Sequence, residues 1–420
     1  MHWNAAASLW YQTLLTLHQL ILFYYIPIAT YGLIGTLFSF LYLAVFLLNF
    51  GLDKSLPSLL ITYSESKTAW RKFLIRQVVA QTGLLIIIAG ILLLFHQVIG
   101  SQLTNSLHCC AFTWTHWLLW TSAFIIESTR KTLKTIAQLA FLNKQTAILE
   151  FFSVVFYIGM VWLGIYYYQD IVSIPFGALC LEALFNVLVL TLLIIGIYRR
   201  LPNKADKPSH IPTWRHIIKN RATIYANHVC RLLLSSNFMV SIFAFSFGLV
   251  WVSTIKVANS IAAFLLSFFE RTFGITSASL LSRVKYATHA QKQENFSLAL
   301  RSFYTIFFLL TASSLLLFLM IFGIHYYLYA QYPSPLLTGY LFMLVTFVDV
   351  LFIPQEQLLL VEDKISYLFI LNCCTALLMY GLSLSALMTP MVVLALFITI
   401  RLAAFYLLNR LIKTKLGIHI

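Results

Sequence analysis

Apolar residues in this chain do not alternate with polar ones; they run on for about 20 positions at a time, and short polar clusters punctuate the runs. A helix rises 1.5 Å per residue, so about 20 residues cross a hydrocarbon core of about 30 Å. The pattern predicts twelve spans, at 8–27, 31–52, 77–99, 110–130, 147–168, 174–198, 222–250, 254–276, 302–325, 335–357, 365–387 and 390–412. Strands of an outer-membrane barrel would show segments of about 10 residues with strict alternation, which these runs lack. The expected fold is all-α and polytopic, with both termini on one side because the number of crossings is even.

The polar clusters fix the side. Lys and Arg fill alternate connections: Lys54 to Arg76, Arg130 to Lys144, Arg199 to Arg221, Arg283 to Arg301, Lys364, and Arg410 to Lys415. The intervening loops around Ile28, Ser101, Gln169 and Gln331 hold none. This positive-inside distribution predicts an inner (cell) membrane protein with cytoplasmic termini. It also accounts for the net charge of +15 without nucleic acid as a partner. With 60% hydrophobic and 10% charged residues, no stretch remains for a soluble domain. Cys109, Cys110, Cys180, Cys230, Cys373 and Cys374 lie in or beside apolar spans without a CxxC spacing, which predicts neither a disulfide framework nor a metal site.

The most polar connection, Tyr198 to Arg221, stands at the chain midpoint with six spans on each side. The predicted organisation is a six-helix lobe over 1–200, a cytoplasmic linker over 201–221 and a second six-helix lobe over 222–420. "FLLNFGLDKSLPSLL" from Phe46 resembles "FLLSFFERTFGITSASLL" from Phe264, and "LNKQT" pairs with "EDKIS" at nearly the same offset. An even number of spans per half gives a parallel repeat, related by an axis near the membrane normal.

"YGLIGTLFSFLYLAVFLLNFGLDKSLPSLLITYSESKTAWRKFLIR", Tyr31 to Arg76, together with its second-half equivalent, resembles the multidrug/oligosaccharidyl-lipid/polysaccharide (MOP) exporters, and among them the O-antigen and polysaccharide flippases. The resemblance implies two parallel six-helix bundles around a lumen lined mainly by the first, second, seventh and eighth helices, alternating between inward and outward openings. It implies a polyprenyl-pyrophosphate-linked oligosaccharide as substrate, for polysaccharide, O-antigen or lipopolysaccharide biosynthesis. Membrane lipids are the remaining expected partner, and room is left for coupling to H+ or Na+. The first helix contains no acidic residue, unlike that of ion-coupled drug exporters of the superfamily.

Charges inside spans are expensive and so informative. Arg231, about nine residues into the seventh span, is read either as a lumenal cation for pyrophosphate or as a side chain snorkelling to the interface. Lys256, at the start of the eighth span on the outer side, and Arg271, at its inner end, could continue the same cationic path; an interfacial Lys and a Glu270 partner are the plainer readings. Asp349 and Arg401 fall near the middle of their spans and are read as a buried pair or, for the carboxylate, as a proton-coupling group. Glu127 and Arg130, three apart, form a local pair. Glu182, with no neighbouring base in sequence, is read as a protonatable coupling site or as a neutral hydrogen-bonded acid.

HExxH, GxSxG and GxxxxGK[ST] are absent, so no catalytic residue, cofactor or metal is assigned. A transporter of a lipid-linked glycan is the leading expectation and a drug or metabolite exporter of the same fold the nearest rival. A membrane-embedded glycan polymerase or transferase ranks below both, because every predicted outer loop is short.

Overall fold

The computed structural model describes residues 2–48, 78–98, 100–101, 113–139, 142–168, 170–200, 225, 229, 232–269, 288–329, 333–361, 365–383 and 389–417. These residues fold into thirteen α-helices with no strand among them. In chain order they are α1 (His2–Tyr25), α2 (Ile28–Leu48), α3 (Ala80–Leu94), α4 (Trp114–Leu139), α5 (Asn143–Tyr167), α6 (Ser173–Arg200), α7 (Ser236–Phe247), α8 (Leu249–Phe269), α9 (His289–Tyr329), α10 (Pro333–Val348), α11 (Ile353–Val361), α12 (Ile365–Ser383) and α13 (Pro390–Leu416). Each of the twelve expected spans overlaps a helix among the described residues, the tenth overlapping both α10 and α11. Seven of the described segments are long and apolar enough to cross a membrane, and three further apolar helices are shorter.

Local chemistry sets several boundaries. Ser235 caps α7, its hydroxyl accepting the Phe238 amide at 3.3 Å. Gly248, at φ 86°, separates α7 from α8 in a backbone region that disfavours any other residue. The predicted seventh span ran through this glycine to residue 250, and the eighth began at 254; the turn at Gly248 instead starts α8 at Leu249. A 3-10 turn, Asp349–Phe352, joins α10 to α11 just before Pro354, which has no amide proton to donate to Val350. Pro390 opens α13 and Gly417, at φ 67°, closes it.

The outward faces are as apolar as the core. Phe152, Leu188 and Leu192 on α5 and α6, and Phe308 and Leu316 on α9, stand exposed. Water would not tolerate such a surface, whereas lipid tails solvate it. The protein is therefore a multi-pass membrane protein.

The chain forms two compact units, one of Met1–Leu14 with Thr36–Leu232, the other of Leu15–Gly35 with Leu233–Ile420. The first unit is centred on buried Leu41, Phe124, Ile136, Val161 and Ala183, and the second on Phe243, Phe342, Phe347, Phe352 and Phe397. The hairpin tip Leu15–Gly35 belongs to the second unit because it lies against α8. A Cβ on Gly32 would fall 2.7 Å from the Ser253 hydroxyl oxygen and 2.9 Å from the Leu249 carbonyl carbon. Only glycine lets the two backbones come this close. The Ser253 hydroxyl donates to the Ile28 carbonyl and the Thr16 hydroxyl to the Ser260 carbonyl, which tie the hairpin to α8 at two levels.

Candidate functional site

In the first unit α4 and α6 run parallel. Near their N-terminal ends, the His116 imidazole Nε2 lies 3.2 Å from Asp170. The Thr113 amide donates to His116 Nδ1 at 3.1 Å, so the ring proton sits on Nε2 and points at the carboxylate. Asp170 also accepts from the Ser173 hydroxyl at 2.6 Å. Burial pushes the Asp170 carboxyl upward, but the Ser173 hydrogen bonds and the neighbouring His116 outweigh it and hold the group below its ordinary value.

Fourteen residues further along α4, and twelve along α6, the same two helices meet again through charge. Arg130 donates from Nε and Nη2 to the two Glu127 oxygens, at 2.6 Å each. Its remaining nitrogen, Nη1, stands 3.5 Å from Glu182 Oε1. The expectation that Glu182 has no base beside it is thereby corrected: the base arrives from another helix, 52 positions earlier in the chain. Asn186, one turn along α6, donates to Glu182, and the Ser153 hydroxyl of α5 donates to Asn186 Oδ1 at 2.7 Å. Glu127, Glu182, Ser153 and Asn186 are all buried. Two carboxylates share one guanidinium here, so the ionised cluster carries one negative charge in excess, and a proton or monovalent cation would balance it.

Lys134 and Glu150 form a further ion pair between α4 and α5, nearer the basic loop. Asn186 and Ser153 did not figure among the residues expected from sequence. Asn186 was accessible there as the i+4 neighbour of Glu182 on one helical face; Ser153 carried no local signal.

In the second unit, Arg401 of α13 holds Asp349 through Nε at 3.0 Å and through Nη2. Its Nη1 reaches Asn372 of α12 at 3.5 Å, and its guanidinium lies 4.1 Å from the centroid of the Phe352 ring. Arg401 is buried, whereas the Asp349 side chain is 40% exposed. Gln355 donates to Asn409 at 2.9 Å below this group.

Lys256 is also in the second unit and is buried. It sits seven residues into α8, about 10 Å along the axis, where the sequence had placed it at the end of its span. Its aliphatic stem crosses the face of Gly35, where an added Cβ would meet Lys256 Cγ at 3.1 Å. The other two members of the expected cationic path, Arg231 and Arg271, lie outside the described residues, as do Glu270 and the 201–221 linker. Among the described residues no group of three or more His, Cys, Asp or Glu could hold a metal ion.

No protein-family model matches the chain, and no curated protein does. Solved structures do. The lipid II flippase MurJ in an inward closed conformation superposes with a TM-score of 0.71 at 13% identity, over 98% of this chain and 88% of that one. An inward-facing multidrug resistance MATE family transporter of the MOP superfamily gives 0.57 at 13% identity, over 97% and 95%. The eukaryotic MATE transporter AtDTX14 gives 0.57 at 14%, over 98% and 94%. The likeness spans nearly the whole of each chain, and the protein has the fold of these MOP-superfamily transporters.

Proposed function

We propose that the protein flips a polyprenyl-pyrophosphate-linked oligosaccharide across the inner membrane, for polysaccharide or O-antigen assembly, with both termini in the cytoplasm. The observation that carries this reading is the TM-score of 0.71 to a lipid II flippase, against 0.57 for either MATE transporter. A flippase must draw a charged head group through a low-dielectric interior while the hydrocarbon tail stays in lipid. Cationic side chains held within the spans replace part of the water lost by the pyrophosphate. Lys256 is such a side chain, buried on α8. Arg231 and Arg271, by their places in the sequence, supply the others.

The cluster of Glu127, Arg130 and Glu182 supplies the coupling. With one guanidinium between two carboxylates, protonating Glu182 neutralises the excess charge, and losing that proton restores it. A carboxylate that alternates between these states can pair substrate movement with H+ or Na+ movement. The same cluster favours the second reading, export of a drug or metabolite, because ion exchange alone can drive such a cycle and two of the similar structures are multidrug resistance transporters.

Complementation of a flippase-deficient strain tests the first reading. Arg231→Ala is expected to abolish growth with expression intact, and Arg231→Lys to restore it in part, because the forked contact to phosphate is lost while the charge remains. Full growth with Arg231→Ala and Lys256→Ala together would overturn it. Efflux of a cationic dye by proteoliposomes that do not flip a labelled lipid-linked oligosaccharide would establish the exporter instead.

A further inference from the structure

Three side chains in the first unit and three in the second stand at one constant offset. Arg130 and Asp349 are 219 positions apart, Ser153 and Asn372 are 219 apart, and Glu182 and Arg401 are 219 apart. The helices that carry them recur at similar spacings: α4 starts at Trp114 and α10 at Pro333, α5 at Asn143 and α12 at Ile365, α6 at Ser173 and α13 at Pro390, which are offsets of 219, 222 and 217. The contacts match as well. In each unit the first position makes an ion pair with the third, at 3.5 Å from Arg130 to Glu182 and 3.0 Å from Arg401 to Asp349. The second position is tied to the third in each, Asn372 directly by accepting from Arg401 at 3.5 Å, and Ser153 through Asn186, which accepts from Ser153 at 2.7 Å and donates to Glu182.

What differs is the sign. The base is on α4 in the first unit and its counterpart, in the turn that follows α10, is the acid; the acid on α6 has the base of α13 as its counterpart. We infer that both units inherited one three-helix polar pin from a duplicated ancestor, and that the charges of this pin have changed places between the two copies. An ion pair between two helices is indifferent to which helix bears which charge, provided that the pair stays matched, because leaving one member alone in a low-dielectric interior is the costly state. A double exchange therefore preserves the pin where either single change breaks it.

The offset also isolates what is not shared. The position matching Glu127 is Thr346, whose hydroxyl donates to its own helix at the Phe342 carbonyl, 3.1 Å away. The second-unit pin is thus one acid against one base, and the first-unit pin has one acid more. Lys134 and Glu150 have Ile353 and Phe369 at the matching positions, so this pair is no part of the repeat. Of these positions, only the triad of Arg130, Ser153 and Glu182 has polar counterparts that meet in the second unit.

Charge-exchange variants, purified as the full chain in detergent and assayed for thermal stability and for complementation, test the inference. Asp349→Arg alone and Arg401→Glu alone are expected to lower the melting temperature strongly, and the two together to recover most of the loss and to transport like the parent. In the first unit, Arg130→Asp with Glu182→Arg and Glu127→Thr reproduces the second-unit pattern and is expected to be as stable as the parent. Resting on the coupling proposed above, this triple variant should be folded and unable to complement. A second-unit double variant no more stable than its single parents, or single variants as stable as the parent, would overturn the shared pin. A stable second-unit double variant that fails to transport would show that this pair does more than hold helices, and would overturn its role as a pin alone. A stable first-unit triple variant that transports fully would overturn the coupling reading and leave the pin intact.

Discussion

Gly32 offers a sharp test of how the hairpin tip is held. Replacing it by Ala places a methyl group 2.7 Å from Ser253 Oγ and 2.9 Å from the Leu249 carbonyl carbon. A hydroxyl can rotate away, but a helix backbone cannot, so α2 must separate from α8. Overpacking of this kind costs about 1 to 3 kcal/mol. The separation also stretches the Ser253 to Ile28 hydrogen bond, which adds about 0.6 kcal/mol at the value typical of interhelical bonds in membranes. The better helix propensity of Ala returns about 0.5 to 1 kcal/mol, which leaves a net loss of about 1 to 3 kcal/mol. Gly35 should behave otherwise, since its added Cβ meets only the flexible Lys256 stem, at 3.1 to 3.5 Å, and a shift of a few tenths of an ångström relieves it. Gly90 on α3 faces open space, so Ala there should be neutral or slightly stabilising. The assay is the melting temperature of the three variants by fluorescence-detected size exclusion in one detergent. The expected order, from least to most stable, is Gly32→Ala, Gly35→Ala, then Gly90→Ala. Equal melting temperatures for Gly32→Ala and Gly90→Ala would refute the close approach of α2 to α8.

Asp170 gives a pH dependence with a defined sign. Its carboxyl is held below the ordinary value in the folded protein, so its contribution is present above the unfolded pKa and is lost as pH falls through the folded one. Asp170→Asn should lower the melting temperature at neutral pH, and the difference from the parent should close in acid; a constant gap down to pH 3 would exclude this account. Membrane orientation is checked by single cysteines in a cysteine-free background. Labels at Ser101 or Gln331 should react from outside the cell, and labels at Lys67 or Lys207 only after permeabilisation; the reverse pattern at either pair would invert the assignment.

The all-α class was legible in the runs themselves, because only length and composition decide whether a helix can cross a bilayer. Boundaries were less so: the turn at Gly248 is a single residue inside an apolar stretch, and hydropathy averaged over a window passes through it. The pairing of Glu182 with Arg130 was hidden for a different reason. Spacing along one helix reveals partners three or four positions away, as with Glu127 and Arg130, but α4 and α6 meet only through packing. The constant offset of Arg130, Ser153 and Glu182 to Asp349, Asn372 and Arg401 lay in the sequence all along. Duplication shows most plainly as identity, and here the side chains at all three positions differ while the ion pair persists.

The glycine face of α2 imposes a waiting period on biogenesis. Ile28 and Gly32 find their partners on α8 only after Leu249 and Ser253 have been made, more than 200 residues later. At about 5 to 20 residues per second, that delay is about 10 to 45 s. Until then the strip of α2 backbone at Ile28 and Gly32 lacks its α8 partner. The hairpin therefore completes its packing only once α8 has been made.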